Sequence, residues 1–219
     1  MTSNLNDATL NFVQTSFADP CAFKAASIQI LWSGYGEIAR YDLPSLHKTV
    51  IVKLVMPPMQ SRHPKGWDGQ QSHQRKLDSY KNESTFYQQY SQQTDNLCRT
   101  PLCYFANINI ASNRQVNETK SPNSLLIMED LDQAGFSKRL NKASLPAVQL
   151  GVRWLANFHA KFLNQSLTYV WPIGTYWHLA TRPDEYAKMP ESELKRKASK
   201  LDSVLNSARF QTLLHGDAK

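Results

Sequence analysis

Apolar positions in the first half of the chain come in short runs, not long periodic stripes. Ser27 to Tyr41, SIQILWSGYGEIARY, reads as two short strands joined at Ser33-Gly34-Tyr35-Gly36. Thr49 to Met56, TVIVKLVM, is rich in β-branched residues and closed by Pro57-Pro58, which predicts a third strand. Gln60 to Lys76 is polar and mildly basic and is expected to be a loop. In Ser79 to Gln92 the tyrosines Tyr80, Tyr87 and Tyr90 stand at helical spacing, so a helix is predicted there. Cys103 to Ile110 and Ser124 to Met128 read as two more strands, and the polar stretch Ser112 to Asn123 between them predicts a long hairpin. Strand, strand, strand, helix, strand, strand is the order of an antiparallel sheet carrying one helix, an α+β layer.

Beyond Asp130 the periodicity changes. Leu145 to Leu163, LPAVQLGVRWLANFHAKFL, is amphipathic, with Val148, Val152, Leu155, His159 and Phe162 on one face and Pro146 in the first turn. Pro190 to Ser207 predicts another helix, with Glu191 and Glu193 early and Lys195, Arg196 and Lys197 later. The apolar piece Thr212 to Leu214 is expected to be a short buried strand leading into His215-Gly216-Asp217. The chain therefore divides into a strand-rich part, 1–128, and a helical part, 129–219, with a hinge near Met128 to Asp132.

Composition narrows the setting. With 219 residues, 41% of them hydrophobic and 20% charged, the chain can bury a core and is not compositionally disordered. The formal net charge of +7 suits anionic partners without choosing among them. Its basic residues scatter over 60–76 and 190–207 without interleaved aromatics, so specific nucleic-acid binding is not expected. Cys21, Cys98 and Cys103 are too few for a disulfide framework and have no zinc-ligand spacing with histidine, so no metal ligands are assigned; Cys98 and Cys103 are expected to be buried thiols. The polar N-terminus lacks the pattern of a signal peptide, and no run approaches the roughly 18 to 20 apolar residues of a membrane span. A cytoplasmic protein without membrane association is the expectation.

Five features carry possible chemistry. Lys53 lies within a strand apolar on both sides, so its ammonium either reaches water at an edge or finds a partner. Glu83 shares the face of Tyr80 and Tyr87 on the following helix and is the obvious counter-charge, or else sits at the rim of that stripe. Gly34-x-Gly36 joins two strands and is either a plain turn or a backbone that approaches phosphate closely. No G-x-x-x-x-G-K-[ST] loop is present. Ser124 to Leu131, SLLIMEDL, ends an apolar strand in two acids and is either merely a strand end or a hinge whose backbone could pair with a purine edge. His215-Gly216-Asp217 is either a plain turn or a loop whose Asp217 could accept a hydroxyl proton, and Lys219 adds a positive charge beside it.

Taken in order, SGYGEIARY, VIVK, YKNESTFYQQY, LLIMEDL, ANFHAKF, GTYWHLATRPDE and LLHGDAK resemble the aminoglycoside phosphotransferase and choline kinase superfamily, most closely its ecdysteroid-kinase-like (CHK-type) branch. The resemblance implies a protein-kinase-like bilobal α+β fold. Its antiparallel-sheet N-lobe would carry one main helix, and its helical C-lobe would be incomplete. It implies an ATP-dependent phosphotransferase that moves the γ-phosphate to a hydroxyl of a small molecule, with Mg2+ completing the site in the whole enzyme. Lys53 would bind the α- and β-phosphates and be held by Glu83, and Gly34 and Gly36 would belong to the loop covering the phosphates. The backbone of Glu129 and Leu131 would pair with adenine, with Met128 at the back of the pocket. Asp217 would orient the substrate hydroxyl, His215 would brace its loop, and Lys219 would face the γ-phosphate. Trp171 to Glu185, including Tyr176, Trp177, His178, Arg182 and Asp184, would either line the near edge of the acceptor pocket or serve packing and capping. The family pattern continues past HGDAK to an asparagine and a second acidic, metal-binding motif. This implies a chain truncated in its catalytic loop, an inactive fragment, with a pseudokinase or a nucleotide-binding module without catalysis as the alternative.

Overall fold

The computed structural model describes residues 2–57, 70–108, 124–174 and 178–218. The expected connection Ser112 to Asn123, most of the expected loop before residue 70, and Tyr176, Trp177 and Lys219 lie outside them. The chain forms two compact units, Met1–Gln92 with Pro101–Asn141, and Gln93–Thr100 with Lys142–Lys219.

The first unit is built on five antiparallel strands, β1 (Phe23–Ile30), β2 (Gly36–Leu43), β3 (Lys48–Val55), β4 (Cys103–Ile108) and β5 (Ser124–Glu129), in the order β1-β2-β3-β5-β4. β2 and β3 pair without interruption from Gly36↔Val55 to Leu43↔Lys48. The tight turn Pro44–Leu46 joins them, and His47 closes it in the left-handed conformation at φ 49°. Strict alternation along this pair gives the sheet two distinct faces. Ala39, Tyr41, Leu43, Val50, Val52, Leu54, Leu125 and Ile127 form a fully enclosed core on one of them. Burial pushes the Tyr41 phenol there up to about 12, and the charge of Glu37 adds to the shift.

That core is closed by a helix the sequence pattern did not predict, α1 (Thr2–Ser16). Its polar composition hides a narrow apolar line: Val13 is buried in the core, with Leu10, Phe12 and Phe17 packed against it. The buried Asp19 just beyond α1 accepts from Cys21 N and from the amide and hydroxyl of Ser45, which ties the end of α1 to the β2–β3 turn.

The second helix, α2 (Gln70–Gln89), begins nine residues before the expected Ser79, so 70–76 is helix and not loop. Gln, Arg and Lys favour helix, and Leu77 anchors the added turns in a second cluster with Leu31, Tyr35 and Val55.

In the second unit, α3 (Leu145–Lys161) starts at Ser144, whose hydroxyl accepts from Ala147 N, with Pro146 in the first turn. The short α4 (Pro183–Lys188) and α5 (Glu193–Asn206) follow, α5 capped by the Ser192 hydroxyl on Lys195 N. The expected buried face of α3 is only partly right. Phe162 is enclosed, but Val148 and Val152 stand 46% and 58% exposed. The packed line is Trp154, Phe158 and Phe162, with Trp154 and Phe158 stacked at 5.1 Å. These rings have neighbours to pack against: the Trp154 indole N–H donates to Arg99 O at 3.0 Å, and its ring lies edge-on to His215. Thr212–Leu214 forms no strand, because three residues with no strand beside them among the described residues have no ladder to join. Instead the Thr212 hydroxyl donates to His159 O at 2.6 Å, and Leu214 stays half exposed.

Candidate functional site

The second face of the sheet carries Ile38, Ile51, Lys53 and Met128, since Ile38 pairs with Lys53 and Ile51 with Met128 across the ladders. Lys53, nearly enclosed among strand neighbours, donates to Glu83 Oε2 at 2.5 Å. Its ammonium also lies 5.0 Å from the Tyr80 ring centroid. The lysine side chain is 11% exposed and the glutamate 34%. The pair therefore lies between a wet surface bridge, worth about 0–1 kcal/mol, and a fully buried one, whose breakage costs about 3–5 kcal/mol. Tyr87 is half-buried on the same helix, and its phenol pKa is pushed up by that burial and by the charge of Glu83.

Two residues along β3, Ile51 opens on a cavity of about 430 Å³, within the size range of small-ligand sites. Ile28, Ile38, Ile51, Met128 and Leu131 supply its apolar wall. Ile28 reaches it because the β1–β2 register slips between Ser27 and Gln29, a bulge that re-aims one side chain. The backbone at the end of β5 runs along the cavity through Glu129, Asp130 and Leu131. Glu129 N donates to Leu102 O at 2.8 Å, and Leu131 O accepts from Phe136 N at 2.8 Å.

Sequence reasoning missed the charged rim of this cavity. The Arg40 guanidinium bonds Asp130 Oδ2 through Nε at 2.6 Å and Asp132 Oδ2 through Nη2 at 2.5 Å. Arg139 Nη2 donates to Asp132 Oδ1 at 2.6 Å. Asp130 is 4% exposed and also accepts from the Thr49 hydroxyl and from Asp132 N. Burial alone would raise its pKa. The hydrogen bonds from Arg40, Thr49 and the Asp132 amide outweigh that and hold the carboxyl below the usual carboxylate range. Its side-chain bonds to Asp130 and Asp132 push the Arg40 guanidinium up. Arg40 and Asp130 are 90 positions apart, so no local spacing signals the pair.

The glycine turn is fixed by its backbone. Gly36 has φ 129°, and a Cβ there would meet Leu54 O at 2.0 Å, so no other residue fits. Gly34, at φ 73°, donates its amide to Leu31 O at 2.9 Å, while Leu31 N donates to Gly36 O.

In the second unit, His215, Gly216 and Asp217 form an exposed bend in which Asp217 N donates to His215 Nδ1 at 3.3 Å. His215 lies edge-on to Trp154 at 5.9 Å. Burial, with the charge of His215, lowers the pKa of His159. Arg182 is ion-paired to Glu185 at 2.6 Å, next to α4. Among the described residues no group of three His, Cys, Asp or Glu could hold a metal ion, and no helix is long and apolar enough to cross a membrane. All three cysteines are free thiols, Cys98 buried and Cys103 half-buried.

A model of the ecdysteroid kinase-like family matches residues 40–164, more than half of the chain. No curated protein and no solved structure matches.

Proposed function

Given that the chain belongs to the ecdysteroid kinase-like family, we propose that its first unit binds ATP and that the protein is a phosphotransferase acting on a hydroxyl of a small molecule. The observation that carries this reading is the Lys53–Glu83 pair at 2.5 Å, on the sheet face that also walls the cavity. An ammonium held in place by a carboxylate is a fixed positive charge, which is what phosphoryl transfer asks of a protein.

The donor set fits a nucleotide. A flat base would lie between Ile38 and Ile51 on one side and Leu131 on the other, with its polar edge toward the backbone of Glu129 and Leu131 and Met128 at the back. Lys53 would then donate to the α- and β-phosphates, with Glu83 holding it in place, and the Gly34–Gly36 turn would cover them. Asp217 would accept the proton of the acceptor hydroxyl, with His215 bracing its bend. Lys219, outside the described residues, is proposed to face the γ-phosphate on resemblance alone. The described residues hold no group of three His, Cys, Asp or Glu for a metal ion, so Mg2+ enters only as the ion the family's chemistry uses, and no step here depends on it.

The test is phosphoryl transfer from γ-labelled ATP to a panel of hydroxyl-bearing small molecules. A labelled product, lost in Asp217→Asn while ATP affinity stays within about threefold, supports the assignment. Equal losses of turnover and affinity would make Asp217 structural. ATP binding without any transfer would make the protein a nucleotide-binding module.

A further inference from the structure

Glu83 is one of four side chains on a single stripe of α2. His73, Lys76, Tyr80 and Glu83 are spaced three, four and three apart, so they share a face. Each reaches the glycine turn or Lys53. His73 Nδ1 and Tyr35 Oη are hydrogen-bonded at 2.5 Å. Lys76 Nζ donates to Ser33 Oγ at 3.0 Å and lies 4.5 Å from the Tyr35 ring centroid. The Tyr80 ring is 6.3 Å from that of Tyr35 and carries the Lys53 ammonium on its other contact. Two lysines are thus held against two neighbouring rings, between the helix and the turn.

Their partners differ. Lys53 has Glu83, and two other partly buried lysines, Lys24 and Lys195, have Glu37 and Glu191. Lys76 has a hydroxyl and a ring face, and among the described residues no carboxylate lies within ion-pair distance of it. Burial disfavours its charged form, and neighbouring Arg75 adds to the effect. A half-buried ammonium without a counter-charge gains more from an incoming anion than one already neutralised. The Gly34 amide of the turn is itself committed to Leu31 O. Ser33, held left-handed at φ 58°, presents its hydroxyl beside the Lys76 head.

We propose that Lys76 is a second phosphate-binding cation, which exchanges the Ser33 hydroxyl for an oxygen of a nucleoside triphosphate's polyphosphate lying under the 32–36 turn. Lys53 then holds the part of the chain nearer the base, and Ser33, released as an acceptor, donates to the same phosphate as Lys76. The inference rests on reading the first unit as a nucleotide site.

The experiment is calorimetric titration of the intact chain with ATP, ADP and adenosine, for wild type, Lys76→Gln, Lys76→Arg and Lys81→Gln. Lys81 is exposed on the same helix and serves as the control. Lys76→Gln should weaken ATP about tenfold or more and adenosine less than about twofold, the signature of a lost charge-assisted bond to phosphate. Lys76→Arg should restore most of the ATP affinity, and Lys81→Gln should leave all three ligands unchanged. Unchanged ATP affinity in Lys76→Gln, or equal losses for ATP and adenosine, would overturn the proposal and leave Lys76 as a strut docking the turn to α2. A wild type that binds adenosine but gains nothing from the phosphates would also overturn it. A wild type that binds none of the three would overturn the nucleotide reading itself, and the Lys76 role with it.

Discussion

In the sheet unit, Leu43, Val50, Leu125, Leu126 and Ile127 are completely enclosed, whereas in the helical unit Leu145, Leu150, Leu201 and Leu205 are 71%, 63%, 47% and 73% exposed. Both regions are comparably rich in apolar residues; what differs is closure. An antiparallel sheet with a helix of its own on the core face satisfies its backbone and covers its apolar residues with nearby chain. Helices α3 and α5 satisfy their backbones alone, but an amphipathic stripe needs a second surface. The lesson for function is where rigidity resides. Lys53, Arg40 and Asp130 are fixed by packed strands, while His215 and Asp217 sit on an exposed bend. Charge placement is therefore built into the first unit more firmly than into the second.

This contrast can be broken by mutation. Leu125→Ala should cost the sheet unit about 2–5 kcal/mol, read by urea denaturation. Leu205→Ala, the same truncation on α5, should change stability by no more than about 0.5 kcal/mol. Similar losses at both sites would contradict the contrast. Gly36→Ala should destabilise by about 2 kcal/mol or more, because the added methyl meets Leu54 O and the backbone is left-handed.

A pH titration sharpens the picture at the cavity rim. The Asp130 carboxyl titrates below its unfolded value in the native protein. The stability it contributes is therefore complete above the ordinary carboxylate range, about pH 4, and is lost as pH falls through the lower native value. Asp130→Asn should cost about 1–3 kcal/mol at pH 7, and its deficit against wild type should shrink in acid below pH 4, as followed by thermal melts across pH. A deficit independent of pH would mean that Asp130 acts by shape alone. The smallest effect belongs to the second unit. Gly151 in α3 has open space around the position of a Cβ, so Gly151→Ala should stabilise by about 0.4–1 kcal/mol.

The strands were legible because β-branched runs bounded by Gly and Pro carry their own punctuation, as in Thr49 to Met56. The Lys53–Glu83 pair was legible for a related reason: a charge in an apolar strand and a charge on an apolar helix face need each other. The first turns of α2 were not legible, since polar helix formers look like loop when Leu77 is the one apolar residue that anchors them. α1 was hidden the same way behind Val13 and its few apolar neighbours. The Arg40–Asp130–Asp132–Arg139 rim depends on strand register, which pairs residues far apart in sequence, and no local pattern announces it. Thr212–Leu214 misled because an apolar triplet is only a strand when a ladder exists to receive it.

On the proposed reading, the cation clamped by Glu83 is the phosphate anchor of a nucleotide site. Calorimetric titration with ATP of wild type against Lys53→Met, with both shown to be folded by circular dichroism, tests it most directly. Wild type should bind ATP, and the variant should lose that binding. Equal ATP affinity in the two proteins would contradict it.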